Sequence, residues 1–282
     1  MGSRFWLWTK RSFAMTNGEN DMFDAKNDEA SVLRDVSRET LASVFGDGPA
    51  GGSVAASTPG APAKAGGRPQ PEHRASAAAM ERMQQVEDYV GLLATEGMTR
   101  GLLGPREVPR LWDRHVLNCA VVGELIERES DVIDVGSGAG LPGIPLALAR
   151  PDLWVTLVEP MQRRVAFLEE VVQTLGIPNV EVVRARAEEV FPQGRADVAV
   201  SRAVAPLGKL ARWCLPLVRK GSSRPFAEPG TMLAIKGRSV IEEANREARN
   251  VRKAGGGDIE ILTCGETILD EVTTVARIDR VR

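Results

Sequence analysis

The chain has 282 residues, 43% hydrophobic and 26% charged, with a formal net charge of −2. That is apolar material for a sizeable core in one large domain with appendages, and the charge balance excludes a uniformly basic glove, so nucleic acid must be met by a local patch. The three Cys (Cys119, Cys214, Cys264) and two His (His73, His115) form no CxxC or HxxxH spacing, so neither a metal site nor a disulfide framework is expected, and no apolar run is long enough for a membrane span.

Phe5-Trp6-Leu7-Trp8 is apolar, but Thr9-Lys10-Arg11 ends it too soon for a secretory signal, and Trp6 sits where a myristoylation motif needs Ser or Thr. A cytoplasmic protein is expected, with residues 1–30 a flexible extension. Val32, Leu33, Val36, Leu41 and Val44 predict a short amphipathic helix over Ser31–Phe45. From Pro49 to Pro71, 19 of 23 residues are Ala, Gly, Pro, Ser or Thr, which reads as a disordered linker. Helical spacing returns over Ala77–Leu93 and Leu111–Ile126, with Gly101–Pro105 as a loop between them. Residues 31–127 are therefore expected to form a small helical cap interrupted by the linker.

Strand and helix then alternate through residues 128–282. Strands are predicted at 132–135, 154–159, 180–183, 197–201, 231–235, 259–263 and 272–278. Helices are predicted at 145–149, 161–175, 207–217 and 240–254. This is an α/β pattern with a mostly parallel sheet covered on both faces. The last two strands have no helix between them and should pair antiparallel. Gly221–Gly230 reads as an exposed loop.

The chemistry is concentrated in Asp134-Val135-Gly136-Ser137-Gly138-Ala139-Gly140-Leu141-Pro142-Gly143. Here a strand gives way to a helix, at the edge where open α/β sheets bind ligands. Taken alone, such a loop also fits a tight turn with no ligand. A dinucleotide fingerprint needs a small residue at 141, where this chain has Leu; its glycines are 136, 138 and 140. The second strand ends in Glu159, 23 residues after Gly136, and a carboxylate there can accept hydrogen bonds from both hydroxyls of a ribose. Together these features resemble the S-adenosyl-L-methionine site of the class I methyltransferases, a Rossmann-like fold with a seven-stranded sheet.

Further segments resemble one family. Asp113-Arg114-His115-Val116-Leu117-Asn118, the run from Asp134 to Pro145, Arg186-Ala187-Glu188-Glu189, Ser201-Arg202-Ala203-Val204-Ala205 and Leu233-Ala234-Ile235-Lys236-Gly237 occur in that order. This pattern is similar to the bacterial small-subunit ribosomal RNA guanine-N7 methyltransferases, once called glucose-inhibited division protein B. The resemblance covers roughly residues 77–282. Asn118 departs from it, since many members carry Asp there, and the 49–71 and 221–230 stretches look like insertions.

The resemblance implies methylation of N7 of guanine 527 in 16S ribosomal RNA, within the small ribosomal subunit or a late assembly intermediate, by a monomer. It implies that the backbone of Gly136, Gly138 and Gly140 approaches the methionyl end of S-adenosyl-L-methionine, with Leu141 against it. Glu159 would hold the ribose, Pro160 and Met161 would wall the adenine, and Ala187 and Glu188 would meet its edge. Arg202, at the tip of the fourth strand, would contribute to the same crevice. Arg202 and Lys236 are the catalytic candidates, as groups that orient guanine, phosphate or cofactor; no general base is assigned. Arg114 and His115 are possible helpers from the cap, and a satisfied core histidine is an equally good reading of His115. Other class I acceptors, a nucleotide-dependent oxidoreductase and an RNA-binding relic remain as alternatives at this stage.

Overall fold

The computed structural model describes residues 36–47, 76–190, 193–202, 205–220 and 229–281. The expected N-terminal extension, the linker and most of the 221–230 loop lie outside these residues, as do Ala203 and Val204 of the fourth-strand motif.

The cap begins with α1 (Arg38–Phe45), capped by Ser37, whose hydroxyl accepts from the Thr40 N–H at 3.1 Å. Ser76 caps α2 (Ala77–Leu92) in the same way through the Ala79 N–H. The two helices are joined at their ends. Arg82 donates to the terminal carbonyls of Phe45 and Gly46 at 3.1 and 3.0 Å, satisfying acceptors the helix leaves open. Asp47 accepts from the Ser76 amide and hydroxyl at 2.7 and 2.8 Å.

The expected single helix over Leu111–Ile126 is three pieces: a π-helical turn Leu111–Leu117, a short α-helical turn Asn118–Ala120 and a 3-10 turn Val121–Leu125. The reason lies in the burial pattern. Leu111, Trp112, His115, Val116 and Leu117 are all buried, followed by Cys119 to Gly123. One stripe of a 3.6-residue helix cannot carry so dense a set. The wider π turn brings more positions per turn to the inner face.

Seven strands follow: β1 (Asp131–Val135), β2 (Trp154–Val158), β3 (Val180–Val183), β4 (Val198–Arg202), β5 (Thr231–Lys236), β6 (Gly256–Cys264) and β7 (Thr273–Arg280). The sheet order is β3-β2-β1-β4-β5-β7-β6. β1 to β5 are parallel, and β7 runs antiparallel to both β5 and β6. This is the class I methyltransferase arrangement anticipated from the sequence. The chain builds outward from β1 to β3, then returns to place β4 on the other side of β1. The order reverses between β1 and β4, which opens a crevice at their carboxyl ends.

Strand alternation divides the core. Val132, Val155, Leu157, Val200, Leu233 and Val275 point to one face. Against them pack α3 (Gly143–Ala149), α4 (Gln162–Leu175) and the cap, with Phe45, Tyr89, Leu93, Leu111 and Val116 in the same cluster. Ile133, Val135, Ala199, Met232, Ala234 and Ile278 point to the other face, against α5 (Leu207–Cys214) and α6 (Val240–Lys253). The cap is thus packed into one of the two cores and lies against the crevice end of β1 and β4. Among the described residues, no helix is long and apolar enough to cross a membrane.

Candidate active site

The β1–α3 loop is shaped by its glycines. Gly136, Gly138 and Gly140 have φ of +77°, +60° and +100°, a region that costs side-chain-bearing residues strain. At Gly140 a Cβ would also lie 2.5 Å from Ile144 Cδ1 and 3.0 Å from the Tyr89 hydroxyl. The loop is pinned to β2, where the Gly136 and Ser137 amides donate to the Val158 carbonyl at 2.9 and 3.2 Å.

Glu159 follows β2 and is 1% exposed. Its Oε2 accepts from the Gly138 amide at 3.1 Å and its Oε1 from the Met161 amide at 2.9 Å, while Arg164 stands 3.5 Å from Oε2. A carboxylate has about four acceptor positions and three are in use, so capacity for one hydroxyl remains, and for a second where the long Arg164 contact is released. Glu159 lines a cleft of about 270 Å³ together with Val135, Gly136, Val158, Pro160, Met161, Ala185, Ala187, Trp213 and, at its edge, Arg164, Arg186 and Glu188. An apolar slot with one buried carboxylate at its rim fits a nucleoside. The Gly136, Glu159, Pro160, Met161, Ala187 and Glu188 anticipated from sequence therefore share one cavity wall. Gly138 joins them through Glu159. Leu141 instead packs against the cap-side core, and Gly140 meets Ile144 and Tyr89.

Three features in the cleft or behind the glycine loop were not legible from sequence. Trp213 reaches it from α5, with the Lys209 ammonium 4.7 Å from its ring centroid. Its helical spacing reads only as a core face. Tyr89 of α2 is fully buried and donates to the Ala139 carbonyl at 2.9 Å, so the cap holds the glycine loop directly. Asp134, also fully buried, accepts from the Gly143 amide at 3.0 Å, and its Oδ1 has no partner among the described residues. Burial pushes its carboxyl up to about 7.

Across the crevice, Arg202 ends β4. Ser201 ties that strand tip to β1 by donating to the Val135 carbonyl at 2.9 Å. The Arg202 guanidinium contacts the cap at three points: the Arg114 carbonyl, His115 Nδ1 and the Cys119 sulfur. Lys236 ends β5, but its ammonium donates to the Ala205 carbonyl at 2.8 Å and to Glu243 at 2.9 Å, and Glu243 also accepts from the Leu207 amide. Lys236 is therefore committed to the connection that follows β4. Two further arginines are paired with carboxylates: Arg100 with Glu96 and Glu170, and Arg238 with Glu271.

All three cysteines are buried and free. Burial pushes the Cys119 thiol up to about 11 and the Cys264 thiol up to about 12, and raises that of Cys214 further. None offers the thiolate that C5-pyrimidine methylation requires.

Comparison with known proteins points to one family. A family model described as rRNA small subunit methyltransferase G matches residues 82–271. The ribosomal RNA small subunit methyltransferase G of Corynebacterium glutamicum is 53% identical over 203 residues, covering 71% of this chain and 87% of that protein. Its counterpart in Corynebacterium jeikeium is 56% identical over 205 residues, covering 72% and 88%. Among solved structures, the crystal structure of M. jannaschii TYW2 in complex with AdoMet is 20% identical, with a TM-score of 0.41 over 55% of this chain and 72% of that one. A family match over residues 82–271 takes in most of α2, the glycine loop, Glu159, Arg202 and Lys236, and the chain belongs to the rRNA small subunit methyltransferase G family.

Proposed function

We propose that the protein transfers a methyl group from S-adenosylmethionine to N7 of a guanine in small-subunit ribosomal RNA, at guanine 527 of 16S RNA. The family membership supports the RNA class and the cofactor. The observation that carries the reading is the cleft itself, where Glu159, buried and hydrogen-bonded to the glycine loop, stands at the rim of an apolar slot beside the β1/β4 crevice.

The cofactor supplies the methyl group on a sulfonium. Glu159 holds the ribose hydroxyls, Pro160 and Met161 wall the adenine, and Ala187 and Glu188 meet its edge. Gly136 and Gly138 let the methionyl end approach bare backbone, while Gly140 acts one step back by making room for Ile144 and the Tyr89 hydroxyl beneath the loop. Guanine N7 has an available lone pair and no proton, so this chain needs no general base. Positive charge moves from sulfur to base and none is created. Rate then comes from holding acceptor and donor in line, worth up to roughly 7–11 kcal/mol. Arg202 orients the guanine from the β4 tip. Lys236 acts at one remove, by fixing through Glu243 and the Ala205 carbonyl the chain that leaves β4.

A protein of net charge −2 offers naked RNA only a local patch and not a broad basic face. The substrate is therefore the small subunit or a late assembly intermediate, met by a cytoplasmic monomer. Small subunits lacking the modification should take up label from methyl-tritiated S-adenosylmethionine. Borohydride reduction and aniline should then cleave the RNA at one guanine. Label in another base, or turnover of low-mass acceptors without RNA, would remove the assignment.

A further inference from the structure

His115 links two groups of opposite charge. Its Nδ1 faces Arg202 Nη2, and its Nε2 lies 2.7 Å from Glu107 Oε2. A guanidinium carries donors only, so Nδ1 must present its lone pair. The ring proton therefore sits on Nε2 and is donated to the Glu107 carboxylate. This fixes one neutral tautomer, although the ring stands beside an acid. His115 is 6% exposed and belongs to the π-helical turn, whose Arg114 carbonyl takes a second proton of the same Nη2. Among the described residues, Arg202 Nε–H and one Nη1–H remain without a partner. The guanidinium is thus gripped along one edge by the cap and has donors left over.

We infer that Glu107 and His115 are positioning residues for Arg202: a carboxylate–imidazole–guanidinium chain in which neutral His115 sets the direction of the Arg202 donors. This rests on the methyl-transfer reading above and deepens it. Protonating His115 would place an N–H against the guanidinium and break the chain. The charged groups acting on the ring are Arg202 from β4, Glu107 from the preceding turn and Arg114 on its own turn. Burial, and then the Arg202 charge, hold the imidazole below its ordinary value of 6.5. The chain therefore stays coupled at neutral pH and fails on acidification.

The test measures methyl transfer to small subunits, alongside calorimetric binding of S-adenosylhomocysteine. His115→Phe should lower kcat roughly 10- to 100-fold, with the binding constant unchanged. His115→Asn places an amide oxygen where Nδ1 stood and should recover most of that loss. Asp134 also titrates near neutrality, so an acid limb in the wild-type rate is not diagnostic, but weakening of that limb in His115→Asn is. In an Arg202→Ala background, His115→Phe should cost less than about threefold more, because its target is gone. Additive losses, or a His115→Asn protein that binds S-adenosylhomocysteine normally yet is as slow as His115→Phe, would overturn the inference. Wild-type protein that labels no RNA would instead defeat the functional reading itself.

Discussion

Asp134 is the penultimate residue of β1, just before the glycine loop, with a carboxyl that water does not reach. One oxygen holds the Gly143 amide and the other has no partner among the described residues. Burial is the main reason its folded value is raised from 3.8 to about 7, with the Glu159 charge adding to it. The sign follows from linkage. Below about pH 4 the carboxyl is protonated in both states and costs nothing. Between about pH 4 and 7 the unfolded chain releases the proton while the folded chain keeps it, so stability falls as pH rises. Three units correspond to a loss of about 4 kcal/mol by pH 7. Asp134→Asn keeps an acceptor for Gly143 and does not titrate. Relative to that variant, wild type should lose thermal stability steadily from pH 4 to 7. Parallel Tm-against-pH curves for the two proteins would refute it. The sequence marks Asp134 as the start of a loop motif but not as an orphaned charge, because its isolation is created by side chains from distant segments.

Coupling between elements is clearest where α2 meets the β1–α3 loop. The phenol of Tyr89 is the only polar group of that buried helical face, and it donates to Ala139 across the cap boundary. In sequence, Tyr89 sits in a helical stripe with Val86, Val90 and Leu93 and reads as core. Nothing in the spacing of α2 names its partner, which lies 50 residues away. The break of the 111–125 segment into π, α and 3-10 turns was hidden for a similar reason. Apolar periodicity reports which face is inside, while the turn width is set by how many residues that face must bury against α2, α3 and the β6–β7 edge. The strands were more legible, since alternation and turn signals are local, and the sheet edge was read correctly from the missing helix between β6 and β7. Tyr89→Phe removes the donor and leaves the Ala139 carbonyl buried without it. S-adenosylhomocysteine affinity should fall by roughly 1–3 kcal/mol, with a lower Tm. Calorimetry giving wild-type affinity would show that the cap does not hold the loop.

For the whole molecule, the linker and the cap must be considered together. On the proposed reading, glycine spacing and Glu159 mark the cofactor side of the site, because those residues act through backbone turns and one strand tip. The acceptor side was less legible, because Arg202 and Lys236 take their roles from partners on the cap and on α6. The same tertiary logic makes the linker region testable. Asp47 and Ser76 are hydrogen-bonded to each other at 2.7 and 2.8 Å, so the chain between them leaves and returns at one place. Closing that excursion costs entropy that grows only as the logarithm of its length. Deleting residues 49–71 leaves five residues, 48 and 72–75, to join the two ends. The shorter closure should stabilise the fold by roughly 1–2 kcal/mol if the remaining residues span the gap without strain. Methyl transfer to small subunits should stay within about twofold of wild type, because neither the cleft nor the Glu107–His115–Arg202 chain includes this stretch. Denaturant unfolding together with the RNA labelling assay measures both. A deletion protein that folds with a raised midpoint but no longer methylates would mean that residues 49–71 take part in holding the RNA.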